Sequence, residues 1–531
     1  MKLLHHVTTA EDAGLRLDRV LCSLAPNESR AALQKAIHAG NCCVDDIPVT
    51  SPNMRLHPGQ ALALRMPDTA TSLQAEAGHV ELLWQDAHLI VCNKPAGLTV
   101  HPCPSCPEHT LVQRLLAHIP ELRAMEGLRP GIVHRLDKNT SGLMVVALTE
   151  ADRLALSTAF ARREVHKEYL ALVSGTPPPE GCCTEPLGRS ATSRIKMAIV
   201  PESRGGRAAH TQWRRLWAAP DGRFSLLAVR ILTGRTHQIR VHMAHLGYPL
   251  LGDTVYAPRV LQAMAPRQML HAWHLSFTHP ATGAAMQFNC APPPDMTETV
   301  VKNCRRMQRV VVTGNPGCGK SLFTQRMELL GVPSISADHV VAELYAKGGE
   351  AVQWIRRLGD DLLTAAGAVD KAALLTAMRN KPDLKREVER IVHALTRQAI
   401  DNFWAQQEAS GASLAVAEVP LYFETGWREA FTPRPFVVGV RCPLALRTQR
   451  LQANRCWSQE TISTIEGWQW PEERKLAACD MVVDNTGTQA QLHAQAENLL
   501  AQLAARKKSS ETALRDHLSA LWAQPDASNA S

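Results

Sequence analysis

One aspartate in the first half of the chain stands where a carboxylate could do chemistry. Asp137 lies in Gly131-Ile-Val-His-Arg-Leu-Asp-Lys-Asn-Thr-Ser-Gly142, a polar turn between two apolar runs that predict strands. An aspartate in such a turn is usually there because its side chain bonds the local backbone. Taken by itself, Asp137 is therefore read as a turn former, and a chemical role for it depends on the motifs elsewhere in the chain.

A glycine-rich loop in the second half could hold phosphate. Gly314-Asn-Pro-Gly-Cys-Gly-Lys-Ser321 fits the pattern GxxxxGK(S/T), follows the apolar run Val310-Val-Val-Thr313 and opens a helix. Backbone N–H groups in such a loop wrap a β-phosphate, the lysine neutralises β/γ charge, and the serine holds Mg²⁺ through ATP. The predicted Mg-ATP-binding residues are Gly314, Gly317, Cys318, Gly319, Lys320, Ser321 and Leu322.

The elements that must position these residues fall into several domains. At roughly 100–200 residues per domain, the chain of 531 residues holds about three units. Strand-like and helical patterns predict a small module (1–67), a mixed α+β domain (80–292), and an α/β domain with a parallel sheet (307–505). A polar stretch from 68 to 79 reads as a linker, and the prolines from 292 to 294 as the start of a polar connector. The tail, 506–531, is expected to be helical at best and frayed.

Composition limits the class of protein. The chain is 45% hydrophobic and 20% charged, which is typical of a globular protein, and no apolar run approaches the ~20 residues of a membrane span. The first residues turn polar too soon for a secretory signal, and the 14 cysteines are scattered, so we expect a cytoplasmic location. Cys103-Pro-Ser-Cys106 and Cys182-Cys183 lack a second pair at metal-binding spacing and are expected to bind no metal.

Positive charge is concentrated in one stretch. The net charge is only +8, but residues 189–240 contain eleven Lys and Arg, Arg194 among them, against the acids Glu202 and Asp221. This density favours a phosphate-binding surface over a solvated basic face.

Four ordered motifs across residues 80–290 resemble the ribosomal large-subunit type of pseudouridine synthase. They are Asn93-Lys-Pro-Ala-Gly97, the HRLDxxTSG run around Asp137, Lys167-Glu-Tyr169, and Thr233-Gly-Arg-Thr-His-Gln-Ile-Arg-Val-His-Met243. The resemblance implies that Asp137 attacks the target uridine, that Tyr169 stacks on its base and assists proton removal, and that Arg240 pairs with Asp137. It implies no cofactor. A buried base must leave its stack, and Arg135 would take its place or contact phosphate, with Arg235 also binding RNA.

The first 66 residues are similar to the small αL-type RNA-binding module often joined to these synthases. The similarity lies in Leu15-Arg-Leu-Asp-Arg-Val20, Ser29-Arg30 at a helix start, and Ile37-His-Ala-Gly-Asn-Cys-Cys-Val44. It implies RNA contacts by Arg16 and Arg30, with a purely structural cap as the alternative. Asp45-Asp46 stands where the family has an Asn-Gly hairpin.

Residues 309–500 resemble dephospho-CoA kinase, which transfers the γ-phosphoryl group of ATP to the ribose 3′-hydroxyl of dephospho-CoA. The resemblance rests on Gly331-Val-Pro-Ser-Ile-Ser-Ala-Asp338, Val419-Pro-Leu-Tyr-Phe-Glu424 and Asp480-Met-Val-Val-Asp-Asn-Thr-Gly487. It implies that Asp338 is the general base that takes the hydroxyl proton. Ser336 replaces a neighbouring family aspartate, and His393-Ala394 replaces a His-Pro pair.

The lid of the kinase departs from the family pattern. Arg450 is present, Asn454 occupies the place of the next arginine, Arg455 lies one residue later, and Ile465 stands where a further arginine is expected. Because phosphoryl transfer depends on placed cations, the altered lid bears on the rate.

The sequence therefore predicts a bifunctional enzyme acting on RNA (rRNA or tRNA) and, with ATP, on dephospho-CoA, without membrane contact. A nucleotide-binding pseudokinase behind an active synthase, and an RNA chaperone, are the alternatives. The oligomeric state stays open.

Overall fold

The computed structural model describes residues 2–523 except 26–27, 29, 67–72, 105, 126 and 194–195, and it leaves the side chains of residues 2 and 31 undescribed. Ser29, Arg194, part of the expected linker and the last residues of the tail therefore lie outside the described residues. The chain forms two compact units, one ending at Met296 and the other starting at Thr297.

The first unit opens with a small α/β module. Its elements are β1 (Lys2–Val7), α1 (Leu17–Leu24), α2 (Arg30–His38), β2 (Cys42–Val44), β3 (Ile47–Val49) and β4 (Ala61–Met66). The sheet order is β1-β4-β2-β3, and Leu17, Leu21 and Leu33 are fully buried beneath it. The sequence pattern predicted α1, α2, β2 and β4 but not β1, because β1 is an edge strand whose partner lies more than 50 residues later.

The remainder of the first unit is built on a large mixed sheet. Its elements are β5 (Glu81–Gln85), β6 (Leu89–Lys94), α3 (Leu111–His118), β7 (Ser141–Ala147), α4 (Glu150–Arg162), β8 (His166–Ser174), β9 (Glu180–Cys183), β10 (Leu187–Arg189), β11 (Met197–Ile199), β12 (Thr211–Ala218), β13 (Phe224–Ile231), α5 (Gln238–His245), α6 (Arg259–Ala263), β14 (Leu270–Thr278) and β15 (Ala285–Asn289). Among the described strands the order is β5-β6-β7-β14-β8-β13-β12-β9, with β15 paired to β14. The predicted mixed α+β class is confirmed.

The strand pairing at the centre of the sheet determines where the Asp137 motif lies. β7 and β14 pair in parallel, with His271 opposite Ser141, so the Asp137 turn enters the middle of the sheet. β10 and β11 form a separate antiparallel pair at the start of the basic stretch of residues 189–240. Apolar side chains cover both faces of the central strands, which buries β7 throughout.

The second unit is a parallel α/β domain. Its elements are α7 (Pro294–Cys304), β16 (Gln308–Thr313), α8 (Lys320–Leu329), β17 (Ser334–Ser336), α9 (Ala337–Tyr345), α10 (Glu350–Leu358), α11 (Lys371–Asn380), α12 (Pro382–Ala409), β18 (Leu414–Glu418), α13 (Trp427–Ala430), β19 (Phe436–Arg441), α14 (Leu444–Arg455), α15 (Gln459–Gly467), α16 (Glu472–Ala477), β20 (Met481–Asp484) and α17 (Gln489–Ala523). The sheet order is β17-β18-β16-β19-β20, with every described pairing parallel. The predicted α/β fold with a parallel sheet is confirmed.

The ends of this unit are more ordered than expected. Pro294, expected to open a polar connector, is the first residue of the helix α7, where proline's missing N–H costs nothing. The tail was expected to be helical at best and frayed, whereas α17 continues as a helix to Ala523 and buries Leu518 and Trp522. Within the described residues, the helices are all too short or too polar to span a bilayer.

Candidate active sites

A cleft of about 420 Å³ in the first unit collects most of the predicted synthase residues. Its lining includes Arg135, Asp137, Tyr169, Arg235 and Arg240. They come from three places in the chain: the turn before β7, strand β8, and the loop and helix of α5. The ordered motifs thus meet in space.

Arg240 connects two carboxylates in this cleft. Its Nη1 donates to Oδ2 of Asp137 at 3.0 Å, while Nε and Nη2 donate to Asp253 at 2.7 and 2.8 Å. Asp253 is fully buried and also accepts the backbone N–H groups of Val255 and Tyr256. Burial acts to raise the pKa of Asp253, but its bonds to Arg240 outweigh this and hold the pKa below the usual value. The predicted Asp137–Arg240 pair is present, and sequence reasoning had assigned no role to Asp253.

Two buried cations hold the turn that carries Asp137. The ammonium of Lys94 donates to the carbonyls of Pro95, Leu98 and Lys138 at 2.8, 2.9 and 3.1 Å. Arg267 bonds the carbonyl of Asn139 at 2.9 Å and is itself paired with Asp295. Lys94, from the Asn93–Gly97 motif, therefore positions the motif that contains Asp137, because it joins the end of β6 to the carbonyl of Lys138.

Burial shifts the pKa values of three side chains in the cleft wall, those of Tyr169, Lys167 and His101. Burial raises the pKa of the Tyr169 phenol, which therefore stays protonated at neutral pH. Burial also lowers the pKa of Lys167 to about 8 and that of His101 to about 4. A protonated Tyr169 can stack on a base, but its phenol cannot serve as a proton acceptor in the same way as a phenolate.

The arginines predicted to bind RNA in the small module share one buried partner. Arg16 donates twice to Asp18 at 2.9 Å, and Arg30 donates to the same carboxylate at 3.0 Å. Gln34 adds a third donor at 2.6 Å. Asp18 is fully buried and fixes one edge of each guanidinium, while 58% of the Arg30 side chain stays exposed.

The phosphate loop of the second unit lines a larger cleft of about 650 Å³. Gly317, Gly319, Lys320, Ser321 and Leu322 face it, whereas Cys318 is fully buried and points its thiol elsewhere. Lys320 donates to the carbonyls of Gly314 and Asn315 at 3.0 and 3.3 Å. Gly314, Gly317 and Gly319 have φ of 149°, 75° and 95°, which only glycine adopts readily.

A buried carboxylate at the end of β18 meets this loop. Glu418 accepts the hydroxyl hydrogen of Ser321 at 2.9 Å, and burial raises its pKa. Sequence reasoning missed Glu418, although an acid directly after the apolar run 414–417 was the available signal. Asp338, at the start of α9, lines the same cleft.

The walls around the loop are tied together by a buried arginine. Arg447 bonds the carbonyls of Cys442 and Pro316 and pairs with Glu466, which accepts from Asn315 at 3.0 Å. Arg450 bonds the carbonyl of Asn485 at 3.3 Å. Arg455 and Asn454 line the cleft, as does Ile465, so the altered lid positions face the phosphate loop.

An apolar pocket of about 220 Å³ adjoins the phosphate cleft through Asp338. His393, Val341, Tyr345 and Trp427 line it. Burial lowers the pKa of His393, which favours the neutral ring. Asp338 therefore lies between a phosphate-binding surface and an apolar one.

Among the described residues, no cysteine lines either cleft. Cys103 and Cys106 face each other in an isolated β-bridge and are not joined by a disulfide. In the part of the chain that the structure describes, His, Cys, Asp and Glu side chains form no group of three or more suited to a metal ion.

Three protein-family models match the chain. The S4 domain matches residues 15–62, RNA pseudouridylate synthase matches residues 88–245, and dephospho-CoA kinase matches residues 308–491. The predicted small RNA-binding module is thus an S4 domain, and the predicted fusion of synthase and kinase is confirmed.

Relatives cover the first half of the chain. An uncharacterised RNA pseudouridine synthase of Chloroflexus aurantiacus is 44% identical over 283 residues, which are 53% of this chain and 87% of the relative. Ribosomal large subunit pseudouridine synthase D of Zymomonas mobilis is 40% identical over 301 residues, 54% of this chain and 93% of the relative.

A dephospho-CoA kinase structure from Campylobacter jejuni has 22% identity and a TM-score of 0.30, covering 37% of this chain and 98% of that one. The chain belongs to the RNA pseudouridine synthase family and carries a dephospho-CoA kinase domain behind its synthase.

Proposed function

We propose that the first unit converts a uridine of ribosomal RNA to pseudouridine with Asp137 as the reacting carboxylate. The observation that carries this is the 3.0 Å bond from Arg240 to Asp137 in a cleft flanked by Arg135 and Arg235. Rupture of the glycosidic bond, rotation of the base and re-attachment through carbon need one ionised carboxylate and a base held in place. Arg240 supplies the charge that keeps Asp137 ionised.

RNA binding is assigned to basic side chains around the cleft and in the S4 domain. Arg135 is exposed at the cleft, and the hairpin of β10 and β11 presents Arg189 and Lys196. Arg16 and Arg30 add phosphate contacts from the S4 domain. The relative from Zymomonas mobilis, named for the large ribosomal subunit, supports rRNA as the substrate class.

The test is Asp137→Asn, which keeps the shape and removes the reacting oxygen. Pseudouridine formation on rRNA should disappear while RNA affinity stays within about twofold, because phosphate contacts elsewhere dominate binding. Asp221→Asn, an exposed carboxylate outside the cleft, is the matched control. Turnover of Asp137→Asn near the wild-type rate rejects the assignment.

We propose for the second unit that Lys320 and the loop bind ATP and that Asp338 takes the proton of the acceptor hydroxyl. The apolar pocket beside Asp338 suits the non-phosphate part of dephospho-CoA. Ser321 and Glu418 form an oxygen donor pair of the kind that Mg²⁺ prefers, and they would hold the ion that neutralises phosphate charge. The presence of Arg450 and Arg455 in the cleft favours a working kinase over a pseudokinase.

Lys320→Ala should abolish phosphoryl transfer to dephospho-CoA, because the β/γ charge loses its nearest cation. The exposed Lys347→Ala is the control. A wild-type protein that binds ATP but transfers nothing supports the pseudokinase alternative and contradicts this proposal.

A further inference from the structure

Tyr256 lies beside the Asp137–Arg240 pair and makes two hydrogen bonds through its hydroxyl. The oxygen accepts the backbone N–H of Met197 at 2.9 Å and lies 2.8 Å from Nδ1 of His237. The Arg240 guanidinium stands over the Tyr256 ring at 5.1 Å. One side chain therefore touches both groups that face Asp137.

The hydrogen bonds of Tyr256 favour one of the two neutral tautomers of His237. The N–H of Met197 can only donate, so the phenol must place its own proton elsewhere. Among the described residues, Nδ1 of His237 is the acceptor within reach. Nδ1 then accepts, and a neutral imidazole carries its hydrogen on Nε2. Burial lowers the pKa of His237, and this favours the neutral ring.

The Nε2 hydrogen faces the reacting carboxylate. Nε2 of His237 lies 3.8 Å from Oδ2 of Asp137, the oxygen that Arg240 also bonds. At this distance the contact is electrostatic, not a formed hydrogen bond. The positive end of the N–H dipole and the guanidinium thus act on one oxygen, and neither contact uses Oδ1.

The backbone supports a demanding placement of His237. This residue precedes α5 with φ of 57°, in the left-handed region that non-glycine residues rarely occupy. Such strain persists where surrounding contacts determine the conformation, and Tyr256 supplies one of these contacts.

We infer that Tyr256 is a positioning residue for the synthase reaction. It holds His237 with the proton on Nε2, against Asp137, and so orients the carboxylate that attacks the uridine. This inference rests on the proposed role of Asp137.

Tyr256→Phe tests the inference because it keeps the ring under Arg240 and removes the hydroxyl alone. The kcat for pseudouridine formation should fall about five- to tenfold, with KM and RNA affinity unchanged. Tyr248→Phe, a half-buried tyrosine packed against the main core, is the control with wild-type kinetics. His237→Asn is the partner variant, because asparagine tolerates the left-handed backbone at this position. In the double variant the two losses of kcat should not add, because Tyr256 acts through His237. Wild-type kcat in Tyr256→Phe, or additive losses, overturns the inference.

Imidazole nitrogen shifts test the same inference without activity. In protein labelled with ¹⁵N-histidine, the signal that disappears in His237→Asn should show the Nε2–H tautomer, and Tyr256→Phe should shift it towards a mixture. An unchanged tautomer in Tyr256→Phe contradicts the role given to the hydroxyl. A wild-type enzyme that is inactive on RNA contradicts the proposed function instead. The spectra would still test whether the Tyr256 hydroxyl fixes the tautomer of His237.

Discussion

At the scale of single residues, the synthase site is organised by one guanidinium between two carboxylates. Asp253 binds Arg240 through two hydrogen bonds and leaves Nη1 for Asp137. The buried pair has the bidentate geometry that fixes a guanidinium in position. Since Asp253 is fully buried, removal of its charge would leave Arg240 only partly compensated.

We therefore expect Asp253→Asn to destabilise the first unit by about 3–5 kcal/mol, the usual effect of breaking a buried ion pair. The exposed Asp221–Arg223 pair gives a matched control, and Asp221→Asn should cost under about 1 kcal/mol. Urea unfolding at neutral pH measures both. Equal effects in the two variants would contradict a special role for Asp253.

The pH dependence of that difference has a definite sign. The pKa of Asp253 is lowered in the folded state, so its stabilisation is present at neutral pH and disappears as the pH falls through the folded-state pKa. The gap between wild type and Asp253→Asn should therefore narrow only below about pH 4.

In the kinase cleft, Arg455 is the exposed cation of the altered lid. Its guanidinium lies 5.4 Å from the Trp457 ring, while Arg450 is already bonded to Asn485. We propose that Arg455 contacts the transferred phosphoryl group, a role in which cations contribute strongly to the rate.

Arg455→Ala should lower the kcat for dephospho-CoA phosphorylation about 30–1000-fold, equivalent to about 2–4 kcal/mol of transition-state stabilisation. Arg357→Ala, which removes a comparable arginine over Trp354 outside the cleft, should leave kcat unchanged. Asn454→Arg in the wild-type background should raise turnover more than ATP affinity. If Arg455→Ala keeps full activity, the lid depends on another cation.

At the scale of elements, the tight turn between β2 and β3 shows an unusual choice of residues. Asp45 and Asp46 both have positive φ, 51° and 61°, where Asn-Gly is the favoured pair. Asp45 has a local reason, because its carboxylate accepts the backbone N–H of Ala61 at 2.8 Å and bonds Gln60 at 3.2 Å.

Asp46→Gly should therefore stabilise the S4 domain by about 0.5–1 kcal/mol, because glycine adopts this backbone without strain. RNA affinity should also rise modestly at low salt, since one acid is removed from a phosphate-binding module. Asp45→Gly is the paired control: it relieves the same strain but loses two hydrogen bonds, so it should bring no gain. Thermal unfolding and RNA titration at two salt concentrations measure these effects.

The elements and residues that the sequence revealed share a local signal. Asp137, Tyr169, Arg240 and the phosphate loop stand in contiguous motifs, and the strands beside them are short apolar runs. Asp253, Tyr256 and Met197 received no role from sequence reasoning, because their contacts depend on a hairpin and a loop that meet only after folding. Strand β1 was not predicted for the same reason, since its partner β4 is distant in sequence.

At the scale of the whole molecule, the second unit is larger than its family pattern. The core of β16 to β20 is completed by α17 as far as Leu503, and α17 then continues to meet α7. Arg305 bonds Glu511 at 2.9 Å, and Glu298 pairs with Arg515.

A fragment of residues 305–505 should fold and bind ATP, because its core is complete. A fragment of residues 294–523 should be more stable by about 0.5–2 kcal/mol, since two exposed ion pairs contribute modestly. ATP affinity should be equal in the two fragments. Urea unfolding and ATP titration of both provide the measurement, and a shorter fragment that stays unfolded would show that α7 is integral to the fold.

The pairing of α7 with the end of α17 has a consequence for how the connectivity of this unit could be re-engineered. Residues 298 and 305 meet 515 and 511, so the helices run antiparallel, and the chain enters and leaves the unit at neighbouring points. A unit with adjacent ends can be circularly permuted: a short linker can join the two helices, and new termini can open at the exposed turn near Gly367. The same adjacency would let this kinase be inserted as a cassette into a surface loop of another protein.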